Sequence, residues 1–393
     1  MTTQARTGPS PLALATAGIG VVGAAFGMAR YGFGLLLPDI RADYGLATAE
    51  LGVIAAGSYV AYLGGSVAAA TLARRLGPRH MVILGGACAA GGMLLAGLSQ
   101  GPLLLALGIL VGGVSSALVF PPFSDAVALI PDAARGRTLS AITSGTGYGV
   151  AVAGPITVVV GGSWRTAWLV FAGLAVLVTL WAARVLPAGA IGPASSTLPR
   201  LRWTWFVCPR SGPLLAGALL IGMGASVFWT FGVDYLVSAD ALPGAGSRLF
   251  LAAVGLASVL GALAGDIVRR LGATAAFASV SLALGLSVAL LAVAPAAPVA
   301  APVSAALFGA AYNLIVAIEV IWSARVWGER PSAGVAAVMF MSGAGLLAGP
   351  LIAGPLAERF GLEAVLLGGA VLLALTGLLS PRERLVASPA RCG

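Results

Sequence analysis

Arg30 is the residue in this chain best placed to do chemistry. It lies in the stretch Phe26-Gly-Met-Ala-Arg-Tyr-Gly-Phe-Gly34, inside an apolar run from Leu12 to Pro38. Eight residues of helix separate it from Pro38, about 12 Å at 1.5 Å per residue. That depth is near the middle of a hydrocarbon core about 30 Å thick. A charge there costs at least about 2.5–3.5 kcal/mol, so it should face a cavity and meet an anion. The carboxylates in or near apolar runs are Asp125, Asp234, Asp266 and Glu319, and all lie toward the ends of those runs. The chemistry open to Arg30 is therefore bidentate capture of a substrate carboxylate. The competing use is a structural arginine held by backbone carbonyls or a neighbouring acid.

Other groups could share that site or control access to it. Phe228, Trp229, Tyr312 and Asn313 sit at mid-depth of their runs. A buried amide needs a partner, which for Asn313 is either a solute or another helix. Tyr59, Tyr62 and Phe120 read as packing. Asp125 and Glu319 fall near run ends that share a level with the arginine pairs Arg74, Arg75 and Arg269, Arg270. Opposite charges at one level fit a gate whose ion pairs form when that side closes and part when it opens. Static charges in the headgroup zone would look the same in sequence.

Enzyme chemistry has no support. The chain has no lysine, so no phosphate-cradling G-x-x-x-x-G-K-[ST] loop can be built. Asp125 and His80 lack a positioned nucleophile. His80 has no second ligand near it, and Cys88, Cys208 and Cys392 make no metal or redox spacing. No cofactor or metal is expected. The net charge of +9 does not point to nucleic acid, because the arginines cluster at the ends of apolar runs.

These residues must be positioned by helices in lipid. The 393 residues are 59% hydrophobic and 9% charged, with mean hydropathy +1.01. A soluble domain carries roughly 25% charged residues. Twelve segments of spanning length can be drawn: 12–37, 50–72, 81–99, 102–124, 138–160, 165–186, 213–237, 247–268, 273–294, 298–324, 332–355 and 361–380. The first is too long for a signal-peptide core of about 7–15 residues. The one long polar break, 187–212, reads as a linker between a bundle at 12–186 and a second at 213–380. Tails at 1–11 and 381–393 flank them. Alternating the loops places 17 of 22 arginines on one side, and only Arg41, Arg165, Arg248 and Arg359 on the other. The richer side, holding both tails and the linker, is expected in the cytoplasm of a cell-membrane protein. Glycines four apart, at Gly23/Gly27, Gly108/Gly112, Gly145/Gly149 and Gly345/Gly349, would let helix backbones approach closely.

The chain also repeats itself. Arg74-Arg75-Leu76-Gly77 recurs 195 residues later as Arg269-Arg270-Leu271-Gly272, and Gly154-Pro155 recurs at the same offset as Gly349-Pro350. Two unrelated landmarks at one spacing argue for a duplicated half, with a substrate path between the copies. A proline inside a helix frees a carbonyl and bends the helix, so Pro155 and Pro350 predict matching bends.

These motifs resemble the major facilitator superfamily. Arg75, Leu76, Gly77 and Arg79 match its G-x-x-x-D-R-x-G-x-R-R loop between helices 2 and 3. Arg74 stands at the Asp position and Ala70 at the leading Gly. Gly265, Arg270, Leu271 and Gly272 match the second copy, with Arg269 at the Asp position. Ala153-Gly154-Pro155 fits the helix-5 antiporter motif, though the following glycine pair is displaced to Gly161-Gly162. The helix-4 arginine typical of proton-coupled members is absent, with Gly108 or Ile109 there. The resemblance implies an all-α polytopic membrane protein of twelve transmembrane helices in two pseudo-symmetric six-helix bundles. It also implies that helices 1, 7 and 10 line a central cavity. The expected function is a monomeric secondary transporter working by alternating access on a small organic solute with an anionic group. Membrane lipid is its surroundings and a proton its candidate coupling ion. The rival transport reading is proton-coupled efflux of drugs or metabolites. A non-transporting membrane receptor or assembly partner is the rival from another class.

The topology is testable by labelling. With Cys88, Cys208 and Cys392 replaced, a single cysteine placed in 187–212 should resist a membrane-impermeant thiol reagent in intact cells and react in inverted vesicles. Reaction in intact cells would overturn the assignment.

Overall fold

The computed structural model describes residues 9–188, 210–242, 245–295, 297, 299–327 and 331–381. The tails at 1–8 and 382–393, and most of the expected linker, lie outside the described residues. Among the described residues the chain is helical, with no strand. Eleven helices are long and apolar enough to cross a membrane. Ten are single spans: α1 (Pro11–Tyr44), α2 (Thr48–Ala69), α3 (Arg75–Gly97), α4 (Pro102–Val127), α5 (Asp132–Val159), α6 (Trp164–Val185), α7 (Gly212–Ser238), α10 (Ala300–Val326), α11 (Ala333–Phe360) and α12 (Leu362–Leu379). The eleventh runs 48 residues from Ala245 to Ala292 and turns at Gly272. At about 1.5 Å per residue it is twice the length one crossing needs. It is two helices, α8 (245–271) and α9 (272–292), which brings the count among the described residues to twelve.

The turns follow local chemistry. Gly77 has φ 72° and ψ 168°, and Gly272, 195 residues on, has φ 78° and ψ 159°. A side chain is strained at these angles, so glycine closes both α2–α3 and α8–α9. Gly45 ends α1 in the left-handed conformation, its N–H donating to the Arg41 carbonyl. Glu50 accepts from the Ala47 N–H at 2.8 Å and caps α2.

The helices form two six-helix bundles, and lipid gives no hydrophobic drive to hold them together. Close backbone contact does that work. Gly23 and Gly27 of α1 pack on the backbone at Gly145 and Gly149 of α5, Gly108 and Gly112 of α4 on α3 at Gly92, and Gly345 and Gly349 of α11 on α7 at Leu219 and Met223. The bundles meet where α1 touches α7, α2 touches α11 and α5 touches α8. This seam is tightest toward the face carrying the α1–α2, α5–α6, α7–α8 and α11–α12 connections. There an added Cβ at Gly34 would collide with the Trp229 carbonyl, and one at Gly52 with the Pro350 carbonyl. Gly154 approaches the Arg248 carbonyl of α8. Pro155 and Pro350 lie inside α5 and α11.

The seam predicts a contrast among glycines. Gly34→Val or Gly52→Val should lower the melting temperature, with overpacking costing about 1–3 kcal/mol. Gly57→Ala, whose Cβ meets nothing within 4 Å, should not. Equal melting temperatures for all three would mean the seam is not a packed contact.

Candidate functional site

The last two turns before Arg30 are wound more widely than an α-helix. Residues Gly23–Arg30 form a π-helical stretch, closed by the Tyr31 N–H donating to the Phe26 carbonyl at 3.2 Å. Such turns are uncommon and shift the side chains that follow them around the helix. Here the shift presents Arg30 and Tyr31 together. Arg30 is 6% exposed. Its guanidinium carbon lies 4.2 Å from the Tyr62 ring centroid, 4.8 Å from Tyr59, 5.7 Å from Phe26 and 5.8 Å from Tyr31. The rings' negative faces give partial compensation for the charge. No ion pair to Arg30 is formed among the described residues, and its Nε has no hydrogen-bond partner.

Two more buried polar atoms without partners lie beside it: Ser58 Oγ on α2, in a residue 3% exposed, and Trp229 Nε1 on α7, in a residue 5% exposed. Arg30, Ser58 and Trp229 line one cavity with Tyr31, Tyr59 and Thr230. Its free volume is about 10 Å³, room for one water molecule, far below the roughly 300–1,000 Å³ of ligand pockets. No carboxylate lines it. Trp229 stacks on Tyr31 across the seam, with ring centroids 4.2 Å apart at 25°.

The other anticipated residues are placed differently. Tyr312 sits edge-on to Trp229 at 5.7 Å. Phe228 is fully buried and stacked on Phe308 at 3.6 Å, in the core of the second bundle. Asn313 donates to the Gly309 carbonyl of its own helix at 3.3 Å and faces Gly261 of α8. Its amide is thus satisfied away from the cavity. Ser58 and Tyr31 were not anticipated as site residues. A serine and a tyrosine within apolar runs carry no signal until packing fixes which way they face.

Among the described residues, the anticipated gate residues are not paired with one another. Arg269 pairs with Asp266 three residues away, and Asp125 is exposed with no ion pair among the described residues. The side chain of Arg74 lies outside the described residues, and Arg75 is exposed. Glu319 is fully buried, and neither carboxyl oxygen has a partner. The structure does not bring it to Arg269 or Arg270.

Ion pairs instead span the seam at the opposite face. Arg41 Nη2 lies 2.8 Å from Asp234 Oδ2, close enough to pair although not aligned as a hydrogen bond. Arg248 Nη2 lies 3.6 Å from Asp39 Oδ1, and Glu358 accepts from the Ala49 N–H at 2.9 Å. Arg165 pairs with Asp43 at 2.5 Å inside the first bundle. Three of the four arginines on this sparsely basic face thus meet acids, and two of those pairs join the bundles. The readable signal was that Asp39, Asp43 and Asp234 flank the same loops.

Comparison with known proteins agrees with this architecture. The family described as "Uncharacterised MFS-type transporter YbfB" matches residues 22–381. The chain belongs to that family, and its function class is membrane transport. It is 28% identical over 239 residues to a chloramphenicol resistance protein of Streptomyces lividans, a match spanning 57% of each protein. It is 24% identical over 282 residues to the transcription regulatory protein OpdE of Pseudomonas aeruginosa, over 70% of this chain and 68% of that one. Among solved structures it resembles the nucleoside transporter NupG, with TM-score 0.77 and 14% identity over 93% of this chain and 98% of that one. It also resembles a bacterial homolog of the human lysosomal transporter Spinster in an inward-facing, unoccupied conformation. There the TM-score is 0.71 at 15% identity, covering 93% of this chain and 94% of that one.

The seam pair is testable by charge exchange. Asp234→Ala leaves Arg41 without its acid and should lower the melting temperature, by at least about 1 kcal/mol of lost stability. The exchanged pair Arg41→Asp with Asp234→Arg should recover part of it. No recovery would mean the two charges do not act on each other.

Proposed function

We propose that this chain is a secondary transporter in the cell membrane that moves a small organic solute with an anionic group by alternating access. The observation that carries the reading is Arg30: a guanidinium buried near the bilayer centre, with no acid paired to it and an open Nε. A bound anion is the simplest way to neutralise it. Trp229 and Tyr312 wall the same region from the second bundle. Phe228 supports them from behind, and Asn313 reaches the solute only if α10 rotates.

With both termini in the cytoplasm, the Arg41–Asp234 and Asp39–Arg248 pairs close the outer side. On the cytoplasmic side, Asp125 would meet the Arg74–Arg75 loop and Glu319 the Arg269–Arg270 loop when an inner gate closes. Each gate closes as the other opens. Bending at Gly154-Pro155 and Gly349-Pro350 would let the bundles rock. Glu319 suits a second role. Its carboxyl is buried with neither oxygen partnered, which makes it the candidate carrier of a coupling proton. The protein works as a monomer in this reading.

The test is uptake of radiolabelled acetate, lactate and benzoate by proteoliposomes. At least one should accumulate. Arg30→Lys, which keeps the charge but loses the fork, should reduce transport about tenfold, an effect of about 1.4 kcal/mol. Arg30→Ala should abolish transport while the apo protein melts at the same temperature or higher, because an unpaired buried charge is gone. If Arg30→Ala unfolds the protein or leaves uptake unchanged, Arg30 is structural and the anionic reading falls.

A further inference from the structure

We propose that the cavity beside Arg30 is a binding site for a single halide ion, with chloride as its occupant. The site goes beyond the transport reading, because it asks for no organic solute. The ion balances Arg30 while no solute is bound.

The size of the cavity selects a small ligand. Its free volume is about 10 Å³, close to what one water molecule needs. An organic acid enters only if the walls move apart. A halide is a single atom a little larger than a water molecule, and a slight give of the lining side chains admits it.

The hydrogen-bonding pattern selects an acceptor. Arg30 Nε, Trp229 Nε1 and Ser58 Oγ belong to residues more than nine-tenths buried that line this cavity, and none has a partner among the described residues. They come from α1, α7 and α2, so packing and not a local turn brings them together. The two nitrogens can only donate, and the hydroxyl can donate as well. A water molecule could accept from both nitrogens, but it must also place two protons of its own. Of the three open atoms only Ser58 Oγ can receive one. A halide accepts from all three and donates nothing.

The charge selects an anion. Among the described residues the lining holds one guanidinium and no carboxylate. Tyr59 shares a hydrogen bond with Arg30, and the Tyr62 ring lies over the guanidinium at 4.2 Å. Both occupy part of the group without neutralising it, and Nε is what they leave. A water at Nε would leave the buried charge unbalanced, which is costly. One halide balances it. Because Trp229 belongs to the second bundle and Arg30 and Ser58 to the first, the ion is held across the seam and should stabilise the joined bundles.

The test is a thermal-shift titration of the purified full-length protein with sodium chloride, bromide or nitrate, each replacing sodium gluconate so that ionic strength stays constant. Chloride and bromide should raise the melting temperature along a saturating curve. Nitrate, with the same charge but four atoms, should not. Tryptophan fluorescence is the second readout. Bromide should quench a saturable fraction of it, and Trp229→Phe should remove that fraction. Trp229→Phe, which keeps a ring and removes the N–H, and Ser58→Ala should each raise the half-saturating chloride concentration about three- to tenfold, the worth of one hydrogen bond. Arg30→Ala should abolish the chloride dependence. Melting temperatures in gluconate report the folding of each variant separately. Anomalous scattering from wild-type protein crystallised with bromide should show a peak beside Arg30 Nε, and needs no variant. A melting temperature indifferent to chloride and bromide overturns the site, as does a chloride effect that persists unchanged in Arg30→Ala. Equal stabilisation by nitrate overturns the halide assignment. These titrations use no transported solute, so a failed uptake assay leaves the halide site standing, and a failed titration leaves the transport reading standing.

Discussion

The rest of this structure depends on keeping one guanidinium charged and dry in the middle of a membrane. Arg30 cannot reach water along a long side chain, as arginines near helix ends do. It is kept in place by a widened turn of α1, by four aromatic rings, and by the close glycine packing of α1 on α5 that lets the widened turn fit. The rings soften the cost without supplying a negative charge. What they leave is an unpartnered guanidinium Nε, two further unpartnered polar atoms, Ser58 Oγ and Trp229 Nε1, and no acid in the cavity lining. The protein stores an unmet electrostatic demand at the point where its two bundles meet.

The same logic applies at the seam. Lipid offers no hydrophobic reward for joining two bundles, so contact is made where backbones can touch and where opposite charges can pair. Gly34 and Gly52 permit the touch, and Arg41–Asp234 with Asp39–Arg248 supply the charge. Both devices concentrate toward one face. The ion pairs seen on the other face, Arg135–Asp132 and Arg269–Asp266, join residues three apart within a bundle. Tyr31 stacks on Trp229 across the seam and both line the cavity, so seam and cavity share one pair of rings.

Much of the fold was legible in the sequence because it follows from composition and spacing. Apolar run length gave the spans, and a repeated RRLG marked two turns that share one glycine conformation. The i, i+4 glycines named in advance do bring backbones together. Boundaries moved most at α1, which runs on to Tyr44 because Pro38 and the polar residues after it stay helical, and at α3 and α5, which begin at Arg75 and Asp132, ahead of their apolar runs. The site was legible only in part. The depth of Arg30 is arithmetic along one helix. Which of Ser58, Tyr59 and Tyr62 joins it depends on how α2 is rotated against α1, and the π-turn displaces that register. Asn313 looked like a ligand because an amide in lipid needs a partner, and it found one in its own helix. Asp234 read as an interfacial acid until Arg41 was seen across the seam.

The central claim is that a solute anion completes the Arg30 site. The most direct test is an experimental structure of the protein in nanodiscs, saturated with whichever organic anion the uptake assay shows to be transported. The account predicts density for a ligand with a carboxylate oxygen within hydrogen-bond distance of Arg30 Nε, in a cavity widened to admit it. Density elsewhere, or an Arg30 paired to a protein carboxylate while the cavity stays empty, would contradict it.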